Sequence, residues 1–165
     1  MNLPAFDAGI DRAVGEFLRL EARLLDEARY DEWNRLFTDD GIYWLPVSSS
    51  ATDPRLEASH LHDDGTLRAV RIARLQSGHA HSQQPPGRAH HLLQTPDILE
   101  LSAARNRLRT RTVFLYHELR AGRTIALPGV AWHTLVREAD DWRIALKRVD
   151  LMHATEPIPA VEFYI

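Results

Sequence analysis

Three carboxylate pairs and three histidine pairs carry most of the reactive chemistry in this sequence. Asp39-Asp40 stands in LFTDDGIYWLP, Asp63-Asp64 in HDDG and Asp140-Asp141 in ADDW. Adjacent carboxylates can share a proton or hold a cation. Each pair here falls where the chain is read as reversing, and Asp satisfies turn backbone and favours the start of a helix. The three pairs therefore read as turn and cap residues. His60/His62 and His79/His81 are each two apart, in segments read as loops. Such a pair supplies two metal ligands from one extended segment. No spacing fixes a third ligand, so these rings read as solvated or partner-contacting. His90-His91 opens a strand, so one ring faces inward and the other outward. An inward, neutral His oriented by a carboxylate is a general base. Asp26, Asp150 and Tyr43 are the companions available to it.

Other chemistries are excluded by composition or motif. The chain has no cysteine, which removes thiolate catalysis, zinc–thiolate sites and cysteine-bound iron–sulfur clusters from it. The same absence fits a reducing cytoplasm, the expected location. There is no G-x-S-x-G elbow, G-x-G-x-x-G turn or phosphate-binding loop. A net charge of -3 gives no basic excess for nucleic acid or an anionic membrane. The opening MNLPAFDAGIDRAVGEF has early acids and no apolar leader core. No apolar run approaches the ~20 residues of a membrane span.

These groups need elements to position them. With 165 residues, 44% of them hydrophobic, the chain suits one domain over 1–165. Ile10, Val14, Phe17, Leu18, Leu24, Leu25 and Ala28 recur at helical spacing and predict a long amphipathic helix, Asp7 to Glu27, capped by Asp7. Asp31 caps a short second helix with Trp33, Leu36 and Phe37 on one side. Ile42 to Leu45 reads as a strand and Val47 to Gly65 as a loop. Thr66 starts a third helix carrying Leu67, Val70, Ala73 or Arg74, and Leu75. SGHAHSQQPPG is a loop by its Gly and Pro content. After it the period becomes two: Leu108, Thr110, Thr112, Phe114 and Tyr116 alternate with Arg109, Arg111, Val113, Leu115 and His117. Further strands are predicted over His90 to Leu101 (bent or broken at Pro96), Thr124 to Glu138 (interrupted by a bulge or bend near Pro128-Gly129) and Trp142 to Met152. Helices followed by strands predict an α+β fold: three helices from the N-terminal half packed on a strongly curved, cone-shaped antiparallel sheet. Of the four tryptophans, Trp132 in VAWHT is the one placed to meet a partner subunit from an open sheet face; the others read as core.

Several segments together resemble one family. FLRLEARLLDEARYDEWNRLFTDDGIYWLPV resembles the opening of the small (beta) subunit of bacterial aromatic-ring-hydroxylating dioxygenases. HDDGTLRAVRIARLQSG, SQQPPG, RAHHL and DDWRIALKRVDLMHA resemble later segments of that family, in the same order. The chain departs from the family pattern at Gln94 or Thr95, where Asn is common, and at Gly129-Val130-Ala131-Trp132, where an Arg-rich strand is common. The resemblance implies a fold similar to nuclear transport factor 2 and ketosteroid isomerase (NTF2-like, SnoaL-like). It implies a terminal oxygenase of three large and three small subunits, the small ones also meeting copies of themselves. The large subunit would hold a Rieske [2Fe-2S] cluster and a mononuclear iron. A reductase would deliver electrons from NADH or NADPH, and an arene would become a cis-dihydrodiol. The residue inventory agrees in one respect: a Rieske centre needs two Cys and two His, and this chain has no Cys.

The leading expectation is therefore a non-catalytic assembly subunit with no catalytic, cofactor-binding or metal-ligating residues of its own. Its interface candidates are Trp132, His79, His81 and the apolar C-terminal Phe163, Tyr164 and Ile165, the last three packing on this chain's own sheet or on a neighbouring subunit. The alternative is a stand-alone isomerase, dehydratase or cyclase of the same cone fold. It would use His90 or His91 with Asp26 or Asp150 as acid–base pair and Tyr43 as hydrogen-bond donor. An open cavity with these groups converging favours that alternative, a cavity plugged by Trp, Phe and Leu removes it, and an open cavity without convergent groups favours a ligand-binding module.

Overall fold

The computed structural model describes residues 8–77, 87–155 and 164–165. Helix α1 spans Ala8–Asp26, α2 Tyr30–Asn34 and α3 Gly65–Gln76. The strands are β1 Phe37–Pro46, β2 Ser59–Asp63, β3 Arg88–Leu93, β4 Asp97–Leu101, β5 Arg107–Arg120, β6 Arg123–Glu138 and β7 Asp141–Leu151. They form one open sheet in the order β2-β1-β7-β6-β5-β3, with β4 beside β3's end of the sheet, also paired to β5. The inward face of α1, made by Val14, Leu18, Ala22 and Leu25, belongs to one core with Trp33, Tyr43, Leu45, Phe114, Leu135 and Ile144. Asp7, predicted as the first cap, lies outside the described residues.

The architecture is the α+β arrangement expected, with four corrections in its detail. The sheet is mixed, because β1 runs parallel to β7. These two strands are separated by a helix and five other strands, so no hairpin forces them to run in opposite directions. β1 begins at Phe37 rather than Ile42, and its register against β7 shifts between Phe37 and Ile42. Asp39-Asp40 lies in that irregular stretch, exposed, with Asp40 accepting a hydrogen bond from Thr38 Oγ1 at 2.8 Å. The predicted Val47–Gly65 loop contains β2, paired antiparallel to β1. Finally, β6 runs uninterrupted through Pro128-Gly129, its register shift falling at Thr134/Leu135. Pro128 is tolerated because its carbonyl faces the β7 side, where it accepts from Met152 N just past the end of β7. No N–H is needed there. Gly129 is required by space, since a Cβ would lie 2.7 Å from Asp150 O and 2.8 Å from Phe114 Cζ.

The third helix turns a different face inward from the one expected. Leu67 and Val70 are exposed, while Arg68 and Ile72 are buried. Arg68 reaches the core because its guanidinium donates to the carbonyls of Gly41 and Asp63 and to Asn34 Oδ1 and stacks 4.0 Å from the Phe37 ring centroid. The cap is Asp64, which accepts from Leu67 N at 2.9 Å, not Thr66. Asp64→Ala is expected to lower unfolding free energy by about 1 kcal/mol, measured by urea denaturation. A loss below a few tenths would mean the cap contributes nothing.

Candidate functional site

Two rows of side chains cross the sheet one residue apart, on opposite faces. The inner row is Thr110, His133, Lys147, Tyr43 and Asp63, on β5, β6, β7, β1 and β2. The outer row is Arg111, Trp132, Arg148, Trp44 and His62, on the same strands, with Asp97 of β4 opposite Arg111. Strand alternation sends each row to its own face.

The inner row meets α1 in a buried charge cluster. Glu21 takes an inward position one turn from Leu18 and Leu25. Its Oε1 accepts from Lys147 Nζ at 2.6 Å and from Trp33 Nε1 at 2.7 Å, and both Glu21 and Lys147 are 3% exposed. Burial alone would raise the Glu21 carboxyl, but the ammonium of Lys147 and the two hydrogen bonds outweigh it and leave the group below its ordinary range. His133 Nε2 stands 4.0 Å from Glu21 Oε2, beyond a hydrogen bond. Desolvation first, then Lys147, against the pull of Glu21, push the His133 imidazole down to about 4. His133 is therefore neutral at physiological pH.

At the C-terminal end of α1, Asp26 accepts from His91 N at 3.1 Å and lies 2.7 Å from His91 Nδ1. The His91 side chain is 4% exposed and that of His90 83%. A cavity of about 20 Å³ lies between the Glu21 and Asp26 clusters, walled in part by His91, Thr112, Phe114, His133 and Ile165. A site for a small organic molecule needs roughly 300–1,000 Å³, so no substrate fits between the Glu21 and Asp26 clusters. Asp26 and His91 also border a wider pocket of about 250 Å³, with Tyr30, Tyr116, Glu118 and Arg120 on its wall.

The acid–base constellation of the stand-alone enzyme is consequently divided. His91 and Asp26 meet. His90 is largely exposed, with Nδ1 3.7 Å from Asp26 Oδ2. Asp150 is on the outer face, where it accepts from Trp132 Nε1 and Arg148 Nε, each at 2.8 Å. Tyr43 is committed to Ile165, its hydroxyl donating to the carbonyl and accepting from the amide, both at 3.2 Å. Burial raises its phenol above the ordinary range. Trp33, Phe37, Phe114, Tyr164 and leucines fill the centre of the interior, and neither Asp150 nor Tyr43 borders the wider pocket beside His91 and Asp26.

The interface candidates fall in three places. His79, His81 and Phe163 lie outside the described residues. Tyr164 and Ile165 are 2% and 1% exposed within this chain's own core. Tyr164 donates to Asp63 Oδ2 at 2.7 Å, and its ring centroid lies 4.5 Å from that of Trp33. Asp63 is thus a buried anchor, also bound by Arg71 at 2.6 Å, rather than a turn residue. Trp132 is half-buried on the outer face, between Arg111 at 5.8 Å from its ring centroid and Arg148 opposite it on β7. Arg148 lies 4.6 Å from the Trp44 ring centroid and donates to the carbonyls of Ala51 and Ser49. Of the loop histidines, His60 faces the Ala154 carbonyl at 3.1 Å.

Glu21, His133 and Lys147 are the residues that inspection of the sequence passed over. Each is a polar residue at a position the apolar periodicity reserves for the core: Glu21 with Leu18 and Leu25, His133 with Ala131 and Leu135, Lys147 with Val149 and Leu151. That misfit was the available signal.

Comparison with known proteins agrees with this arrangement. The model of the family described as "Ring hydroxylating beta subunit" matches residues 20–157. The small oxygenase component of the p-cumate 2,3-dioxygenase system of Pseudomonas putida is 30% identical over 149 residues, 87% of this chain and 80% of that one. Benzene 1,2-dioxygenase subunit beta of the same species is 31% identical but matched over 57% of this chain and 54% of its own length. A chain of naphthalene 1,2-dioxygenase, solved with indole in the active site, superposes with a TM-score of 0.84 at 14% identity, covering 99% of this chain and 89% of that one. At that identity the likeness establishes the fold alone.

Proposed function

Because this chain belongs to the ring-hydroxylating beta subunit family, we propose that it is the non-catalytic assembly subunit of an aromatic-ring-hydroxylating dioxygenase. Its partner is a large oxygenase subunit, in a hexamer of three large and three small chains, located in the cytoplasm. The observation that carries this reading is the family match over residues 20–157; inside the fold the acid–base groups of the alternative do not all converge, since Asp150 faces outward and Tyr43 is bound to Ile165.

The redox groups belong to the large subunit. This chain has no Cys for a Rieske cluster. Among its described residues no three His, Asp or Glu side chains come together as a metal-binding group, so they do not fit a mononuclear iron. Electrons come from NADH or NADPH through a reductase, and the large subunit dihydroxylates the arene. The small subunit supports that chemistry by holding large subunits in fixed relation. The outer sheet face around Trp132 is the surface it offers to a neighbouring subunit, an aromatic flanked by guanidiniums being a common anchor at interfaces.

Co-expression with a large subunit tests this. Iron and oxygenase turnover should appear in the hexamer and be absent from the small chain purified alone. Trp132→Gln should reduce hexamer content about tenfold or more, since a Trp anchor contributes about 2 kcal/mol, with an unchanged circular dichroism spectrum. Turnover by the isolated small chain, or elution apart from the large subunit, overturns the reading. Full assembly of the folded Trp132→Gln variant removes that face from the interface.

A further inference from the structure

Four buried polar atoms without a partner among the described residues belong to three residues that wall one cavity. They are Nε2 of His91, Oγ1 of Thr112 and both ring nitrogens of His133. Buried polar groups are almost always hydrogen-bonded, because desolvating one without a partner is unfavourable. Three such residues around a single space of about 20 Å³ call for a common partner.

We infer that this cavity is a binding site for one internal water molecule, held between His91, Thr112 and His133. Size selects the ligand: one water needs roughly 10–15 Å³ measured this way, and two to four polar partners. The partners are chemically complementary. His91 places Nδ1 against Asp26, so in the neutral ring the proton sits there and Nε2 accepts. The water donates one hydrogen to His91 Nε2 and the other to the unprotonated nitrogen of His133. It accepts from the Thr112 hydroxyl. A cation is disfavoured, because the Lys147 ammonium borders the same space and the Glu21 carboxylate there is already paired with it. An apolar occupant would leave all three polar groups unpaired. The water therefore joins β3, β5 and β6 at the point where the Asp26–His91 and Glu21–Lys147 clusters approach one another. This inference is independent of the assembly role.

A crystal structure of the subunit complex at a resolution that orders internal solvent provides the first test. An electron-density peak within about 3.2 Å of His91 Nε2, Thr112 Oγ1 and a His133 nitrogen is expected. Cross-relaxation between water and the His133 ring protons, measured on the full chain in solution, should report a long-lived contact. Thr112→Val, which keeps the side-chain shape, should weaken that signal severalfold, and His133→Leu should abolish it. A dry cavity, rings turned to bond each other directly, or a water signal unchanged in both folded variants overturns the inference.

Discussion

Lys147→Met lowers the unfolding free energy by about 3–5 kcal/mol, the expected consequence of stranding Glu21 in the core without its counter-ion. The size follows from burial: the Lys147 and Glu21 side chains are 3% and 5% exposed, so water cannot take over when one is removed. The donor left to Glu21, Trp33 Nε1, satisfies one lone pair and no charge. Adding Glu21→Gln to Lys147→Met should recover most of the loss. The amide oxygen still accepts from Trp33, and the buried charge is gone. Urea denaturation of the wild type, the single and the double variant measures both steps. A single variant costing under about 1 kcal/mol would show that the ion pair is not what holds α1 to β7. The exposed pair Arg12–Glu16, at 80% and 55% side-chain exposure, is the control, and Arg12→Met should leave the transition where it was.

Acidification is the second large effect, and its sign is fixed by His133. The ring is neutral in the folded chain, its pKa pushed down to about 4, whereas in the unfolded chain it titrates near 6.5. Between those values the unfolded state binds the extra proton, so stability falls as pH falls. The full difference is about 3 kcal/mol, most of it lost by about pH 4.5. The charged groups facing the ring are Glu21 and Lys147, with His91 across the cavity. Glu21 acts in the same direction at lower pH: its carboxyl is depressed in the fold, so its contribution is present above the ordinary carboxylate range and disappears on further acidification. His133→Gln should therefore flatten the stability profile between pH 6.5 and 4.5 and leave the steeper fall below it. A variant profile parallel to wild type across that upper window would mean another group controls it.

Much of the fold was legible because its elements carry strong periods. The β5 alternation of Leu108, Thr110, Thr112, Phe114 and Tyr116 with Arg109, Arg111, Val113, Leu115 and His117 already separates two faces in the sequence. The same rule required one of His90 and His91 to face inward, and the structure shows it to be His91. β2 was missed because SHLHD is short, polar and set among Ser, Pro and Asp, so its pairing comes from β1 and not from its own pattern. The parallel β1–β7 pair was missed because sequence periodicity carries no information about which distant strands meet. At the candidate site, Asp26 and His91 stood out by residue type. Glu21, Lys147 and His133 did not, because a charged residue within an apolar stripe reads as an interruption until its partner from another element is in view. The α3 helix fails in the same way: Arg68 occupies the buried face while Leu67 and Val70 are left outside.

The two rows that cross the sheet have a consequence for how this gene can change. They are one residue apart on every strand from β5 to β2, and side chains alternate with a period of two. Adding or losing a single residue inside β5, β6 or β7 would send Arg111, Trp132 or Arg148 toward the core and Thr110, His133 or Lys147 toward solvent, for the whole length of that strand beyond the change. Substitutions test one position at a time, but an odd change in strand length exchanges an entire face. Changes of length are therefore expected to be tolerated in the connections, such as the segment between β1 and β2 or the β6–β7 hairpin at Asp140, and not inside these strands. The strands themselves behave as a counting frame whose parity, more than its individual letters, is under constraint.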